Sequence, residues 1–267
     1  MSIAFIAVIS ALLYLAAAGV QLANAVQQNV GLSRSVLVIA FFALGCHMGL
    51  TWDNTMGADG VNLGIFPILS LIFLVINLAC MVALTWRPLQ NLLVILFPLS
   101  AVAVLIATLG PETTSAKSNV SLGVAAHVGS SVVAYSVLTL AALQAALLAA
   151  QDAQLRRRQF GGIVAALPPL QLMESMLFEL IWVGVVALTL SIASGFLFMD
   201  DIFAQHLVHK TVLSIAAWLL FSVLLWGRYQ MGWRSQTAVN FTVSGFTMLM
   251  LAFLGSKLVL ELVLERT

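Results

Sequence analysis

Residues 92–109 read LLVILFPLSAVAVLIATL and contain no charged side chain. A helix needs about 20 predominantly apolar residues to cross a bilayer, so a stretch of this kind is long enough to span one. Apolar residues fill both odd and even positions, whereas a strand of a membrane barrel alternates apolar and polar residues over about ten positions. Because only helices and closed barrels can span lipid, this stretch predicts a transmembrane α-helix.

The rest of the chain has the same character. Its 267 residues are 62% hydrophobic and 8% charged, and the mean hydropathy is +1.08. A soluble domain carries roughly 25% charged residues, and the net charge of +1 gives no support for nucleic-acid binding. The two cysteines, Cys46 and Cys80, lie inside apolar runs and indicate neither a disulfide framework nor a zinc site. The composition predicts an all-α, polytopic membrane protein with a single transmembrane domain over residues 1–267.

Polar breaks divide the chain into about eight candidate spans, and Pro168-Pro169 and Asp200-Asp201 are among the clearest of these breaks. The first span ends near Ala23-Asn24-Ala25, which has the form of a signal cleavage site. Because no positive charge precedes the apolar run, we expect this span to remain as a helix. The predicted spans are Ile3–Asn24, Ser35–Thr51, Gly64–Trp86, Leu89–Leu109, Ser121–Gln151, Met176–Met199, Phe203–Trp226 and Val239–Leu264.

The charges between the spans predict an orientation. The odd-numbered connections hold seven arginines: Arg34, Arg87, Arg156, Arg157, Arg158, Arg228 and Arg234. The even-numbered connections hold mostly acids: Asp53, Asp59, Glu112, Asp200 and Asp201, with Lys117. Since Lys and Arg are enriched in cytoplasmic loops, the odd connections are predicted to be cytoplasmic and both termini to lie outside.

All four histidines fall in or beside predicted spans, namely His47, His127, His206 and His209. His47 lies about four residues from the outer end of the second span, and His127 about six residues from the outer start of the fifth. The other two open the seventh span from the outside. Because ionisable groups inside a membrane are costly, a function is the default hypothesis for them.

Imidazole is a ligand for haem iron, and two histidines on different helices could hold one haem between them. On the fifth span His127, Ser131, Tyr135 and Thr139 recur every four residues, so this polar stripe is predicted to face the interior of the bundle. Lys210 could pair with a haem propionate. A buried histidine can equally be a hydrogen-bond partner between helices, and the residue types leave zinc, copper and a proton relay open.

Three smaller features have structural interpretations. Gly45 and Gly49 form a small-xxx-small pair that would let another helix approach closely. The tryptophans of the cluster at residues 226–234, with Trp86, are typical of an interfacial aromatic belt. Glu174 and Glu179 flank the predicted cytoplasmic start of the sixth span, where the helix dipole favours negative charge.

Several stretches resemble a known family. Residues 127–135 read HVGSSVVAY and residues 138–144 read LTLAALQ, while residues 167–174 read LPPLQLME and residues 209–214 read HKTVLS. Further on, residues 224–228 read LLWGR and residues 232–234 read GWR. Together these cover about residues 121–257. They resemble the cytochrome c assembly family (CcsA/CcmC/HemX-like), and most of all its eight-helix HemX/YpjD-like inner-membrane branch.

The resemblance implies a multi-pass protein of the bacterial inner membrane that handles haem on the outer side during maturation of c-type cytochromes. It makes His127 the candidate external ligand of a non-covalent, b-type haem and His47 the candidate second ligand. Lys210 and Trp218 occupy positions that the family also fills with Lys and Trp. Other membrane or cytochrome-assembly proteins are the partners it implies.

One departure from the family bears on activity. Synthase members carry a Trp-Gly-x-x-Trp-x-Trp-Asp platform on the outer loop before the Lys-containing helix, whereas residues 198–206 read FMDDIFAQH. We therefore expect haem binding, haem relay or an accessory role, without enzymatic attachment of haem. Two other functions remain open from the residues alone: a small-ion or metal transporter with an outer histidine gate, and a structural membrane subunit.

Overall fold

A computed structural model of the protein describes residues 3–27, 31–57, 60–62, 64–110, 121–158, 166–198 and 208–255. These residues are almost entirely helical. The helices are α1 (Ile3–Val26), α2 (Arg34–Thr55), α3 (Ile65–Ala83), α4 (Leu93–Leu109), α5 (Leu122–Arg156), α6 (Leu170–Phe198), α7 (Val208–Met231) and α8 (Ser235–Met250). A short 3-10 helix, Gln90–Leu92, leads into α4, and a π-helical turn, Leu251–Gly255, follows α8. Two-residue strands, β1 (Met56–Gly57) and β2 (Gly60–Val61), pair antiparallel after α2.

Seven of the described helices, all except α8, are long and apolar enough to cross a membrane. The predicted all-α, polytopic membrane fold is confirmed. The described part of α8 has 16 residues, and the last part of the predicted eighth span, beyond residue 255, lies outside the described residues. The polar connections at residues 111–120 and 199–207 lie outside them as well.

Local sequence signals explain several helix boundaries. Ser33 and Ser121 precede α2 and α5, and their hydroxyls accept hydrogen bonds from the backbone N–H groups of Val36 and Val124. These caps satisfy donors that have no partner within the helix. Pro98 lies inside α4. Transmembrane helices tolerate proline because neighbouring helices and side chains can satisfy the backbone groups that it leaves unpaired.

The described residues pack as two compact units, and the prediction of a single domain over residues 1–267 remains a prediction. Unit 1 comprises Met1–Asn119 with Arg158–Pro168, and unit 2 comprises Val120–Arg157 with Pro169–Thr267. The described part of each unit contains four α-helices.

In unit 1, α1 packs against α2 and α4, and α3 packs against the same two helices. Small residues line the buried face of α1, including Ala7, Ala11 and Ala17, and such residues let helix backbones approach closely. The rings of Tyr14 and Phe97, whose centroids are 5.4 Å apart, fill the space between α1 and α4.

In unit 2, α5 packs most extensively against α6. Helix α7 contacts α6, α8 contacts α5, and α7 and α8 contact each other. The approach of α5 to α6 depends on Gly184, because a Cβ atom there would lie 2.4 Å from Cδ2 of Leu138. Further out along the same pair, a Cβ atom at Gly123 would lie 2.6 Å from the ring of Phe198. The two helices therefore remain close up to the start of α5 and the end of α6.

The prediction that Gly45 and Gly49 admit a neighbouring helix is wrong for the described residues. No described atom outside the local helix lies within 4 Å of a Cβ atom at either position. Both glycines lie on the exposed face of α2, together with Phe41 and Trp52. The close contacts of α1 with α2 use the opposite, alanine-containing face instead.

The predicted start of the sixth span at Met176 is also wrong, because α6 begins at Leu170, directly after Pro168-Pro169. Glu174 is therefore inside the helix and only 6% exposed. Its carboxylate accepts a hydrogen bond from Nη1 of Arg228 on α7, and Nε of Arg234 lies 3.9 Å away. The helix-dipole interpretation of Glu174 was incomplete, since a buried carboxylate is stable when it is paired and hydrogen-bonded.

The predicted aromatic belt stays a prediction, and only part of it has the exposure that such a belt requires. Trp86 and Trp226 are both more than half exposed, as expected for interfacial tryptophans. Trp233 instead packs over Gly227 and lies 5.1 Å from the ring of Phe241. Trp233 is thus half-buried against α7 and α8 at the predicted cytoplasmic end of unit 2.

Candidate functional site

The predicted outer end of unit 2 holds His127, five residues into α5 and therefore about 8 Å along the helix from its start. The ring is half-buried against α6. Its Nδ1 atom lies 2.9 Å from the backbone carbonyl oxygen of Ser191. Because a carbonyl oxygen can only accept, Nδ1 carries the proton and donates it.

The hydrogen bond from Nδ1 leaves the other ring nitrogen available. In the neutral imidazole, protonation of Nδ1 places the unshared electron pair on Nε2. No described residue forms a hydrogen bond with Nε2 of His127. In metal sites a ligating histidine usually donates its other ring N–H to a group such as a backbone carbonyl, which fixes the orientation of the ring.

A set of serines fixes this part of α5 to α6. The Ser131 hydroxyl donates to the carbonyl oxygen of His127 at 2.7 Å. Its oxygen lies 2.6 Å from the Ser191 hydroxyl, which must be the donor because the Ser131 proton is already used. Residues 127 and 191 are therefore joined in both directions, once through the imidazole and once through the two hydroxyls.

Two further residues of α6 contact the His127 ring. Ser194 donates its hydroxyl proton to the Ser191 carbonyl at 2.9 Å, and its oxygen lies 3.3 Å from Nδ1 of His127. The ring also lies over Gly195, where a Cβ atom would be 3.1 Å from Cε1 and 3.2 Å from Nδ1. The imidazole is thus held between a carbonyl, a hydroxyl and a helix surface without a side chain.

The environment of His47 in unit 1 is different. Its ring is completely buried. Nδ1 lies 2.9 Å from the Tyr14 hydroxyl of α1, and Nε2 lies 3.0 Å from the Ser70 hydroxyl of α3. Thr51 extends this chain, since its hydroxyl lies 3.2 Å from that of Ser70. Both ring nitrogens of His47 are occupied by hydrogen bonds that connect α1, α2 and α3.

The predicted polar stripe on α5 does face neighbouring helices. Ser131 contacts α6, as described, and the Tyr135 hydroxyl donates to the carbonyl oxygen of Leu249 on α8 at 3.1 Å. The Tyr135 ring is buried, with its centroid 5.3 Å from that of Phe253. Tyr135 is therefore engaged in the interior of unit 2, about two helical turns deeper than His127.

The remaining predicted site residues lie on or near α7. Nζ of Lys210 is 5.9 Å from the centroid of the Phe253 ring, and His209 is exposed in the first turn of the helix. Trp218 donates from Nε1 to the Thr189 hydroxyl of α6 at 2.8 Å. His206 lies outside the described residues. Within the described ranges, no group of three or more His, Cys, Asp or Glu side chains is arranged to hold a metal ion.

Residues 2–264 match the family described as Cytochrome C assembly protein. The chain belongs to this family. It is 34% identical over 259 residues to the inner membrane protein YpjD of Escherichia coli K12, an alignment that covers 95% of this chain and 98% of YpjD.

More distant relatives of this chain align over about half of their own length and of its length. One is protein HemX of Brevibacillus brevis, which is 25% identical over 131 residues, or 48% of each chain. Another is an uncharacterized 28.8 kDa protein of Azospirillum brasilense, which is 27% identical over 140 residues, or 52% of each chain. No solved structure matches. The predicted multi-pass location in an inner membrane is confirmed by family membership and by the name of the Escherichia coli relative.

His127 could be predicted from the sequence as a candidate ligand, but its partners on α6 could not. Ser191, Ser194 and Gly195 all contact the ring or its partner carbonyl, yet none was predicted as part of the site. The spacing of Ser191 and Ser194 places both on one face of α6, which is the one available signal. The carbonyl group that fixes the ring has no signature in the sequence, because every residue carries one.

Proposed function

We propose that this protein binds haem non-covalently at the outer end of unit 2, with Nε2 of His127 as a ligand to the iron, and that it assists cytochrome c biogenesis. The observation that supports this most directly is the hydrogen bond from Nδ1 of His127 to the Ser191 carbonyl. It holds the imidazole in the tautomer that leaves the lone pair on Nε2, as ligation through that atom requires. Family membership supports the biological context.

The residues present suit this cofactor. Neutral imidazole is a common axial ligand of haem iron, and bound haem would supply an iron centre that accepts the nitrogen lone pair and carries an electron. Ser131 and Ser191 keep the ligand helix in register with α6, so the ring is held before haem arrives. Lys210 and His209, in the first turn of α7, are candidate partners for the propionate carboxylates.

The second axial ligand stays a prediction from the sequence. Ligation of iron by His47 would require its Nε2 to give up the hydrogen bond to Ser70. Our proposal therefore rests on His127 alone, and His206 and His209 remain candidates beside His47. Covalent attachment of haem is not part of the proposal, since the segment at residues 198–206 carries no tryptophan platform.

The test uses the full chain purified in detergent and titrated with haemin while the Soret absorbance is recorded. We expect saturable binding by the wild type and a loss of affinity of at least about tenfold in His127→Ala. His127→Gly provides a sharper variant, because added imidazole can enter the vacated space and restore the iron ligand. Restoration of the spectrum by imidazole would indicate direct ligation.

Two outcomes would contradict the proposal. One is a wild-type protein that binds no haemin, which would favour the transporter or the structural subunit. The other is a His127→Ala protein with the wild-type affinity and spectrum.

A further inference from the structure

The α6 residues beneath the His127 ring form a surface shaped around the imidazole. We infer that Ser194 and Gly195 are positioning residues for the iron ligand: Gly195 sets where the ring lies, and Ser194 sets how strongly the Ser191 carbonyl holds its Nδ1–H group. This inference rests on the proposed haem ligation by His127. It assigns a function to two residues that touch no cofactor themselves.

Gly195 sets the position of the ring because it has no side chain. Gly195 is buried beneath the ring, and a Cβ atom there would lie 3.1 Å from Cε1 and 3.2 Å from Nδ1 of His127. Ordinary contacts between carbon atoms are about 3.5–4.0 Å, so an alanine would force the ring away from α6 by several tenths of an ångström. That displacement would lengthen the 2.9 Å hydrogen bond from Nδ1 to the Ser191 carbonyl oxygen. It would also change the direction in which Nε2 points.

Ser194 acts on how well the Ser191 carbonyl accepts a hydrogen bond. Its hydroxyl donates to the Ser191 carbonyl at 2.9 Å, so that carbonyl serves both Ser194 and the Nδ1–H group of His127. Removing the hydroxyl would leave the carbonyl oxygen a stronger acceptor for Nδ1–H. The loss of the longer 3.3 Å contact between Ser194 and Nδ1 is the smaller effect, because hydrogen bonds weaken with distance.

A stronger bond from Nδ1–H gives the imidazole more negative character and raises its basicity as a ligand. A more basic ligand favours ferric over ferrous iron, because the ferric ion carries one more positive charge. Ser194→Ala is therefore expected to lower the midpoint potential of bound haem. Gly195→Ala weakens the same hydrogen bond and is expected to raise the midpoint potential and to lower haem affinity by about tenfold.

The experiment measures haemin affinity and the midpoint potential of the bound haem in the full-length protein in detergent. The matched control for Gly195→Ala is Gly129→Ala, which makes the same change on α5, two residues from His127, where no described atom outside the local helix lies within 4 Å of the new Cβ. The control for Ser194→Ala is Ser175→Ala, near the other end of α6, where the hydroxyl donates to Glu179. Ser194→Thr keeps a hydroxyl and should retain the wild-type potential.

Opposite shifts of the midpoint potential in Gly195→Ala and Ser194→Ala, with both controls unchanged, would support the inference. A purely structural role would not produce opposite signs. If His127→Ala loses haem while both α6 variants keep the wild-type affinity and potential, the inference is wrong and the proposed function stands. If the wild type binds no haemin, or His127→Ala binds it normally, both are wrong. Should Gly195→Ala fail to fold, the comparison of Ser194→Ala with Ser194→Thr decides.

Discussion

Two histidines of this protein occupy similar predicted depths in the membrane and have different surroundings. His47 of unit 1 has hydrogen bonds at both ring nitrogens, to Tyr14 and Ser70, and no exposed surface. His127 of unit 2 has its Nδ1 atom held by the Ser191 carbonyl and is half-buried. Depth in the membrane therefore does not by itself assign a role to a histidine.

The difference comes from the groups that neighbouring helices present. Hydroxyl groups can complement an imidazole on either side, because each can donate or accept. A carbonyl oxygen only accepts, so it selects one tautomer and leaves a lone pair on the far nitrogen. In our proposal His47 connects helices whereas His127 is an iron ligand, and four experiments test this contrast.

The largest expected effect is on haem binding. His127→Ala should reduce haemin affinity at least about tenfold, whereas His47→Ala should change it less than about twofold if its ring is structural. Titrations of the two variants under the same detergent conditions provide the measurement. Equal losses in both variants would instead favour ligation of one haem by both histidines, as the resemblance implies.

The second effect is on the free energy of unfolding, which we expect His47→Ala to lower more than His127→Ala. His47→Ala removes both ring hydrogen bonds, leaves the buried Tyr14 hydroxyl without this partner and creates a cavity, at a cost of about 2–4 kcal/mol. His127→Ala removes one ring hydrogen bond from a half-buried site and should cost about 1 kcal/mol. Unfolding of the haem-free proteins in mixed micelles would rank them, and a less stable His127→Ala protein would contradict our interpretation.

The third effect tests the packing of helices inside each unit. Gly184→Ala in unit 2 would bring a Cβ atom to 2.4 Å from Cδ2 of Leu138, and such overpacking costs about 1–3 kcal/mol. Gly19→Ala on α1 of unit 1 meets no described atom outside the local helix within 4 Å and is the matched control. Thermal unfolding should show a lower midpoint temperature for Gly184→Ala alone. A neutral result there would mean that α5 and α6 separate easily.

The smallest effect concerns the hydroxyl of Tyr14. Tyr14→Phe keeps the aromatic packing against Phe97 and removes only the hydrogen bond to Nδ1 of His47. Hydrogen bonds between membrane helices contribute about 0.6 kcal/mol on average, so the loss should be of this order. A double-mutant cycle with His47→Ala would isolate the pair, and a coupling energy near zero would show that the two side chains do not cooperate.

Much of the fold could be predicted because the transmembrane signal is local. The start of the first helix at Ile3 and the end of the fourth at Leu109 agree with the structure. The start of α6 was placed six residues too late because Glu174 was treated as a residue at the helix end. A carboxylate can lie inside the helix there because Arg228, far along the chain, neutralises it.

The candidate site was predictable only to the level of residue type. His127 was identified from its position in an apolar span, but its partners are a carbonyl 64 residues away along the chain and a glycine that offers no side chain. The paired contacts of His47 with Tyr14 and Ser70 likewise join residues 33 and 23 positions apart. Such contacts depend on how helices pack, and a single sequence does not encode them in any local pattern.

The sequence alone determined that this chain crosses a membrane as helices and, through its arginines, which side each connection is expected to face. These properties follow from transfer of individual side chains between water and lipid, which depends on local composition. The packed helices were needed to show that His47 has both ring nitrogens hydrogen-bonded and that His127 has its tautomer fixed by a single carbonyl. The orientation of a ring is set by the donors and acceptors that neighbouring helices bring against it, and those are known only when the helices are packed.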